Sequence, residues 1–454
     1  MIPAFKKLGI LVLVAGLLLF FGCSERENPA GPQISEGLDY TGSFYDSVSF
    51  WGNLSGDLTQ RNIAVYTPPG YDPTNTNARY PTLYLLHGFW GNERYFLDYF
   101  SLKEIADEMI SRGEIKPMLI VTPDASSNLG VGFYTDSDSM MTVGVLDTMY
   151  WEYRSYDSLG NPGSDSLAVT DSVFADLSFT GKYETFVWKD VIGQVEAAYS
   201  AYDGPWWEYT AFDNLGQPTD SVQHTGTARD YRAISGHSAG GYGAMKVAMR
   251  HPDLYTSVSA MSAPLSFSLT TEHISDVYSE NGVSFGDSAG YYAFSPSQTK
   301  PWTTLFFSMG AVFSPHSLSE PDTTYFHRLA PADEGLVGVD LPFGPDYSPG
   351  GTLNTTIWNK WLAEDVTTMV NSNPTRFKPA LDSLTIYIDC GLDDEMDMNL
   401  HAEAFDAALT SAGVEHDSPA YYSGYGNLPA NNFNYIADRL RVVLKFHSDN
   451  FPDE

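Results

Sequence analysis

The chain has few cysteines and few basic residues. Its 454 residues include only two cysteines, Cys23 and Cys390, so a disulfide framework is excluded, as is a Cys-x-x-Cys or Cys/His metal cluster. Lys and Arg number 24 against 57 Asp and Glu, which gives a formal net charge of −33. Such a field repels nucleic acids and anionic membrane surfaces, so we expect neither as a partner. We also expect no metal and no cofactor.

The N-terminus has the features of a lipoprotein signal. Lys6 and Lys7 precede an apolar run over 8–21, which is short for a membrane span and is followed by Gly22-Cys23. This pattern predicts a signal peptide over 1–22 and Cys23 as the lipidated first residue of the mature chain, with a polar tether in 23–40. We therefore expect a bacterial cell-envelope protein that is attached to a membrane through its lipid.

The most informative motif surrounds Ser238. Residues 236–240 have the sequence Gly-His-Ser-Ala-Gly, after an apolar strand and before a helical pattern in 239–249. This is the G-x-S-x-G nucleophile elbow, in which a sharp turn exposes a serine above a sheet and glycines two residues away leave room for it. The motif predicts nucleophilic chemistry at Ser238.

Strand and helix patterns alternate along the chain. Apolar strand patterns occupy 61–73, 80–88, 116–124, 257–263, 384–391 and 416–422, and helical patterns occupy 94–112, 183–201, 399–412 and 433–447. This alternation predicts an α/β fold with a doubly wound, mostly parallel sheet. We expect one domain over 41–454, interrupted by insertions at about 125–180, 202–228 and 265–380, the last forming a cap.

The first two insertions contain an internal repeat. Residues 150–162 and 206–218 match at most positions, and each combines alternating aromatics with a Leu-Gly-x-Pro turn. The repeat predicts two related hairpins. Their aromatics could stack on sugars, but alternation of this kind favours a buried strand face on which the two hairpins pack. The residues concerned are Trp151, Tyr153, Trp207 and Tyr209.

Several segments resemble one branch of the α/β-hydrolases. This branch holds esterase D, S-formylglutathione hydrolases, and the feruloyl and acetyl-xylan esterases of carbohydrate esterase family 1. The resemblance implies an α/β-hydrolase sheet with large insertions after the third and fifth matched strands, and it leaves the substrate open. The matching segments are VYTPPGYDP (65–73), YPTLYLLHG (80–88), YETF (183–186), SGHSAGGYGAMKVAMRHPDLY (235–255) and IYIDCG (386–391).

The resemblance assigns roles to particular residues. Ser238 matches the nucleophile, and the backbone amides of Phe89 and Ala239 match the oxyanion hole. The catalytic acid follows the strand that ends at Cys390-Gly391, which places it at Asp394, with Asp393 as the near alternative. His87 and His237 match family positions that support loops or pack, and neither is expected to move the proton.

The triad histidine is missing from its usual place. In relatives it precedes the last helix, and here that position falls on Asn431 or Asn432. An amide has no basicity near neutral pH, so neither residue can accept the proton of Ser238. A replacement base would have to come from elsewhere in the chain, and the candidates are His447, His416, His224, His251, His273, His316, His327 and His401.

Two functions are therefore compatible with the sequence. The first is a cell-envelope serine esterase that hydrolyses carboxylic esters such as acyl groups on carbohydrates, with its base supplied from another part of the chain. The second is a catalytically impaired relative that uses the same cleft to hold a glycan or acyl ligand. The retained elbow favours the esterase, because a pure binding protein has no need of a strained serine. The two asparagines favour the impaired relative.

Overall fold

The computed structural model describes residues 36–44, 48–50, 53, 57–137, 139–156, 162–178, 180–214, 217–316, 326–328 and 338–453. All of these residues belong to one unit of mutual contacts. The predicted signal peptide and Cys23 lie outside the described residues. Within the described ranges, no helix has both the length and the hydropathy that crossing a membrane requires.

The centre of the fold is an eight-stranded sheet with the strand order β1-β2-β4-β3-β11-β12-β15-β16. Strand β2 runs antiparallel to both of its neighbours, and all the other adjacent pairs are parallel. The prediction of a mostly parallel sheet is therefore confirmed. These eight strands are β1 (Leu38–Phe44), β2 (Arg61–Thr67), β3 (Thr82–Leu86), β4 (Leu119–Pro123), β11 (Arg232–His237), β12 (Ser257–Met261), β15 (Thr385–Gly391) and β16 (Ala420–Tyr422).

Helices cover both faces of this sheet. Successive side chains of a strand point to opposite faces, so an apolar strand places residues on both faces that have to be covered. In β3, Tyr84 and Leu86 belong to one apolar cluster, whereas Leu83 and Leu85 belong to another. The α-helices are α1 (Tyr95–Phe100), α2 (Leu102–Ser111), α3 (Tyr183–Thr185), α4 (Ile192–Ala198), α5 (Ala239–Arg250), α6 (Phe267–Thr270), α7 (Ile274–Asn281), α8 (Ser288–Tyr291), α9 (Pro301–Phe313), α10 (Thr355–Glu364), α11 (Val366–Ser372), α12 (Pro374–Asp382), α13 (Met398–Ala412) and α14 (Ile436–Asn450).

Some predicted boundaries were wrong. The single helix expected over 94–112 is two helices, because Ser101 between them has a left-handed backbone with φ 53°. The strand expected over 416–422 is formed only by its last three residues, and the final helix begins three residues later than predicted. A π-helical stretch (Phe186–Val191) joins α3 to α4, and short 3₁₀ turns occur at Val48–Phe50, Ala228–Tyr231 and Thr271–His273.

In their described residues, the insertions contain four two-stranded sheets. Each repeat segment spans the end of one strand and the start of its antiparallel partner, β7 (Ser139–Tyr156) with β8 (Pro162–Ser178) and β9 (Trp206–Phe212) with β10 (Pro218–His224). The two smaller sheets pair β5 (Ser126–Ser127) with β6 (Gly130–Val131) and β13 (Phe326–Arg328) with β14 (Gly338–Asp340). Among the described residues of the insertion over 265–380, the structure also has helices α6–α12.

The aromatic residues of the second hairpin are not buried, contrary to the favoured expectation. Trp207 is 51% exposed and Tyr209 is 43% exposed. The backbone of Tyr209 is held by Asn77, whose side chain accepts from its amide at 2.5 Å and donates to its carbonyl at 2.8 Å. No other described residues cover this face of the hairpin. The alternation of aromatic residues therefore indicates a strand here, but it does not indicate a buried face. The side chains of Trp151 and Tyr153 lie outside the description.

Candidate active site

Ser238 lies at a strained turn between β11 and α5. Its backbone has φ 53° and ψ −122°, a conformation that a residue with a side chain rarely adopts. The neighbouring backbones approach so closely that only glycine fits on either side. A Cβ at Gly240 would lie 2.1 Å from the carbonyl oxygen of Leu86, and one at Gly236 would lie 2.2 Å from Gly240. The local sequence therefore forces the serine above the carboxyl edge of the sheet.

Three groups at this edge are available to a ligand. The hydroxyl of Ser238 makes no hydrogen bond with any described residue, and its side chain is only partly buried. Within the described part of the chain, the amides of Phe89 and Ala239 likewise donate no hydrogen bond. Ala239 is the first residue of α5, so its amide also lies at the positive end of a helix dipole. Such free donors can stabilise a negative oxygen next to the serine.

His87 holds the loop that carries Phe89, as the resemblance implied. Its Nε2 accepts a hydrogen bond from the amide of Ala125 at 2.9 Å, so Nδ1 carries the proton and donates to the carbonyl of Gly88 at 2.9 Å. Both ring nitrogens are therefore engaged. Burial lowers the pKa of His87, which keeps the ring neutral, and it has a supporting role.

Of the two candidate acids, only Asp394 has its carboxylate inside the site. Its Oδ1 accepts from the amide of Met396 at 3.1 Å, and its Oδ2 accepts from the side chain of Asn432 at 3.1 Å. Asp393 is exposed, and its carboxylate accepts from the amide of Ala430 at 3.2 Å, which fixes a loop. Of the two candidates, Asp394 is therefore the one whose carboxylate contacts Asn432.

Asn432 makes the contact with the acid that a histidine makes in a catalytic triad. Its Nδ2 donates to Asp394, as the Nδ1–H of a triad imidazole does. Asn431, the other candidate position, points elsewhere, because its Oδ1 accepts from the amides of Phe433 and Asn434 at 3.1 and 2.7 Å. The structure thus brings Asn432 to Asp394 and directs the side chain of Asn431 elsewhere.

This arrangement keeps the hydrogen bond of a triad but not its basicity. Burial raises the pKa of Asp394, and the hydrogen bonds from Met396 and Asn432 offset part of that effect. The neighbouring Cys390 is buried, and its Sγ lies 3.6 Å from Asp394 Oδ2. Burial raises the pKa of Cys390 well above the range in which a thiolate forms. Neither neighbour of the acid supplies a base.

The proposed replacement histidines lie elsewhere. Of the histidine side chains in the described part of the chain, none forms a hydrogen bond with Ser238 or Asp394. His401 is no base either, since its Nδ1 already accepts from the amide of Ser266 at 3.1 Å, and the side chain of His327 lies outside the description. The other partners are Glu208 for His224, Glu184 for His251, Asp276 for His273, Asp340 for His316, Asp406 for His416, and Ser257 with Ser259 for His447.

The helix that follows Ser238 is anchored by buried charges that the sequence did not reveal. Lys246 in α5 is fully buried and pairs with Glu184 at 3.1 Å and Glu364 at 2.7 Å. Arg250 contacts the same two carboxylates at 2.8 Å each. Burial alone would raise the pKa of Glu184, but the charge of Lys246, with help from His251 and Arg250, lowers it to about 2. This network ties the elbow helix to α3 and to α10 of the long insertion.

The sheet order, the elbow and the following acid define the chain as an α/β-hydrolase. The sequence profile of the Putative esterase family matches residues 58–139 and 219–429. The chain therefore belongs to this family.

Individual relatives are distant. Endo-1,4-beta-xylanase Y of Acetivibrio thermocellus is 23% identical over 172 residues, which cover 37% of this chain and 15% of the xylanase. A ferulic acid esterase structure has 18% identity and a TM-score of 0.49, with 92% of this chain and 100% of the other covered. An S-formylglutathione hydrolase from Agrobacterium tumefaciens has 14% identity and a TM-score of 0.47, with 93% and 99% covered.

Proposed function

We propose that this chain is a serine-type carboxylic ester hydrolase that turns over at a residual rate and binds its ester better than it cleaves it. The observation that carries this proposal is the hydrogen bond from Asn432 to Asp394. Ser238 is the nucleophile, and the amides of Phe89 and Ala239 hold the developing oxyanion. Asp394 orients residue 432, which has no lone pair able to take the serine proton.

The expected rate follows from what remains. In a serine protease, loss of the triad base costs about 10⁶ in kcat, and the oxyanion hole with binding alone retains about 10³–10⁴ over water. The free amides at Phe89 and Ala239 supply that residual part here. A retained binding site with this little turnover suits a protein that recognises an acyl group and holds it.

The ligand we propose is an acylated carbohydrate. Exposed aromatic faces suited to sugar rings lie beside the site, on Trp90 next to Phe89 and on Phe433 next to Asn432. The exposed Trp207 and Tyr209 offer a further face. We also propose attachment to the bacterial cell envelope through a lipid on Cys23, which is supported by the N-terminal sequence pattern alone.

Turnover of p-nitrophenyl acetate by residues 24–454 tests this function. We expect wild type and Asn432→Ala to agree within about threefold in kcat, because residue 432 supplies no base in either. Ser238→Ala should be slower by about three- to tenfold, because an unactivated serine still attacks the ester slowly. A loss of about 100-fold or more in Ser238→Ala would show that a base reaches the serine and would contradict the proposal.

Binding is measured separately by calorimetry with an acetylated xylo-oligosaccharide, and the deacetylated sugar serves as the matched control. The proposal predicts that the acetylated sugar binds with a measurable heat. Its affinity should fall at least tenfold once the acetyl group is removed. Equal binding of the two sugars would mean that the site does not recognise the acyl group.

A further inference from the structure

His237, the residue before the nucleophile, is fully buried between an aromatic residue and the asparagine that replaces the base. One ring nitrogen, Nε2, lies 2.8 Å from the backbone carbonyl oxygen of Asn432. The other, Nδ1, lies 2.9 Å from the hydroxyl of Tyr95, and the two rings are nearly parallel. The side chain therefore connects α1 to the loop that carries residue 432.

These two contacts determine where the proton of His237 lies. A carbonyl oxygen can only accept, so Nε2 must carry the hydrogen and donate it to Asn432. Nδ1 is then a lone pair, and the Tyr95 hydroxyl must donate to it. Burial, followed by the positive charge of Arg439, lowers the pKa of His237 to about 3, and Arg439 itself is paired with the buried Asp389. The ring is neutral with a single tautomer.

The backbone of residue 432 is clamped on both sides as a result. Its amide donates to Glu395 Oε2 at 3.0 Å, and its carbonyl accepts from His237. With the backbone held at this place, the side-chain amide donates to Asp394 Oδ2 at 3.1 Å and to the carbonyl of Ser262 at 3.5 Å. The clamp does not depend on which side chain residue 432 carries.

We infer that His237 is a positioning residue, which with the Tyr95 hydroxyl fixes where the side chain at position 432 meets the acid and the nucleophile. This inference rests on the proposed function, because it concerns the position from which a base would act. In this site, the contacts that would position a base at residue 432 are kept, whereas the base itself is replaced by asparagine. His237 touches no reacting atom and acts only through residue 432.

Asn432→His supplies a base at position 432, and its kcat depends on how well His237 and Tyr95 position that residue. In that background we expect Tyr95→Phe, which leaves Nδ1 without its donor, to lower kcat for p-nitrophenyl acetate about tenfold with KM unchanged. His237→Met removes the donor to the carbonyl and should lower kcat about 100-fold, the cost of a misplacement of about 1 Å. His237→Gln keeps an N–H donor and should recover part of that loss.

Tyr84→Phe is the matched control, because Tyr84 is a buried tyrosine of β3 whose hydroxyl bonds to nothing among the described residues. It should leave kcat within twofold. If Tyr95→Phe and His237→Met behave like this control while Asn432→His is active, the inference is wrong. If Asn432→His itself gains no activity, the proposed function is wrong.

The wild-type chain decides the inference in that second case. Nitrogen NMR of histidine-labelled protein, assigned with His237→Gln, should show Nε2 protonated and Nδ1 unprotonated from pH 5 to pH 8. In Tyr95→Phe the Nδ1 signal should shift, whereas in Tyr84→Phe it should not. A ring protonated at Nδ1, or one that titrates in this range, would overturn the inference whatever the kinetics show.

Discussion

Replacing Asn432 by histidine is expected to raise kcat for p-nitrophenyl acetate by about 10²–10⁴-fold. The new imidazole would donate Nδ1–H to Asp394 in place of Asn432 Nδ2. Its Nε2 would then be free to take the proton of Ser238. Loss of a triad base costs about 10⁶, and we expect partial recovery because the surrounding side chains have packed around an amide. Steady-state kinetics of the purified variant measure this directly.

The neighbouring position provides the matched control. Asn431→His should change kcat by less than about threefold, since Asn431 caps the loop through Phe433 and Asn434 and does not reach Asp394. Equal gains from the two substitutions would show that histidine acts from solvent and that the site has no defined base position.

The pH dependence of Asn432→His should identify the new group. A general base works only in its neutral form, so kcat should rise with pH through the pKa of the imidazole, at about 6.5–7, and then level off. Wild type has no such group, and its rate should rise only with hydroxide. A wild-type profile with the same inflection would reveal a base that the structure does not show.

The largest expected loss of stability follows from removing Lys246. Lys246→Met should lower the free energy of unfolding by about 3–5 kcal/mol, because it leaves the buried carboxylates of Glu184 and Glu364 with Arg250 as their remaining full charge. Urea unfolding followed by circular dichroism measures it. Lys445→Met is the control, since Lys445 pairs with Asp449 on the exposed face of α14 and should cost less than about 1 kcal/mol. A loss below about 1 kcal/mol for Lys246→Met would contradict this description of the network.

The same network makes wild type sensitive to acid. The pKa of Glu184 is lowered from 4.5 to about 2, so its folded state prefers the charged form. The stability that it contributes is complete above pH 4.5 and is lost as the pH falls towards 2. Lys246→Met should flatten this part of the stability curve, which is measured by unfolding at several pH values.

The parts of the fold that local pattern determines were predicted well. The elbow at Ser238 depends on two glycines and on the strand and helix around them, and all of these lie within 20 residues. The parallel strands are apolar runs with both faces buried. The break at Ser101 was missed, because a left-handed residue inside a continuous helical pattern leaves no signal unless it is glycine.

The candidate site could be predicted only up to contacts between distant segments. Counting along the motif gave Asn431 or Asn432, and only the contact with Asp394, 38 residues away, decides between them. The replacement histidines could be assessed only from their partners, such as Ser257 for His447, which is 190 residues distant. Likewise, the aromatics of the second hairpin were predicted to be buried because sequence alternation identifies a strand and does not say whether another layer covers it.

Fluorophosphonate labelling of wild type tests the central claim most directly, because the probe reacts with a serine only as fast as that serine is activated. The label rate at Ser238, followed by intact-protein mass spectrometry, should be at least 100-fold slower in wild type than in Asn432→His, and absent in Ser238→Ala. Rapid labelling of the wild-type serine, at a rate that Asn432→His does not exceed, would show that a working base is already in place and that Asn432 does not disable the site.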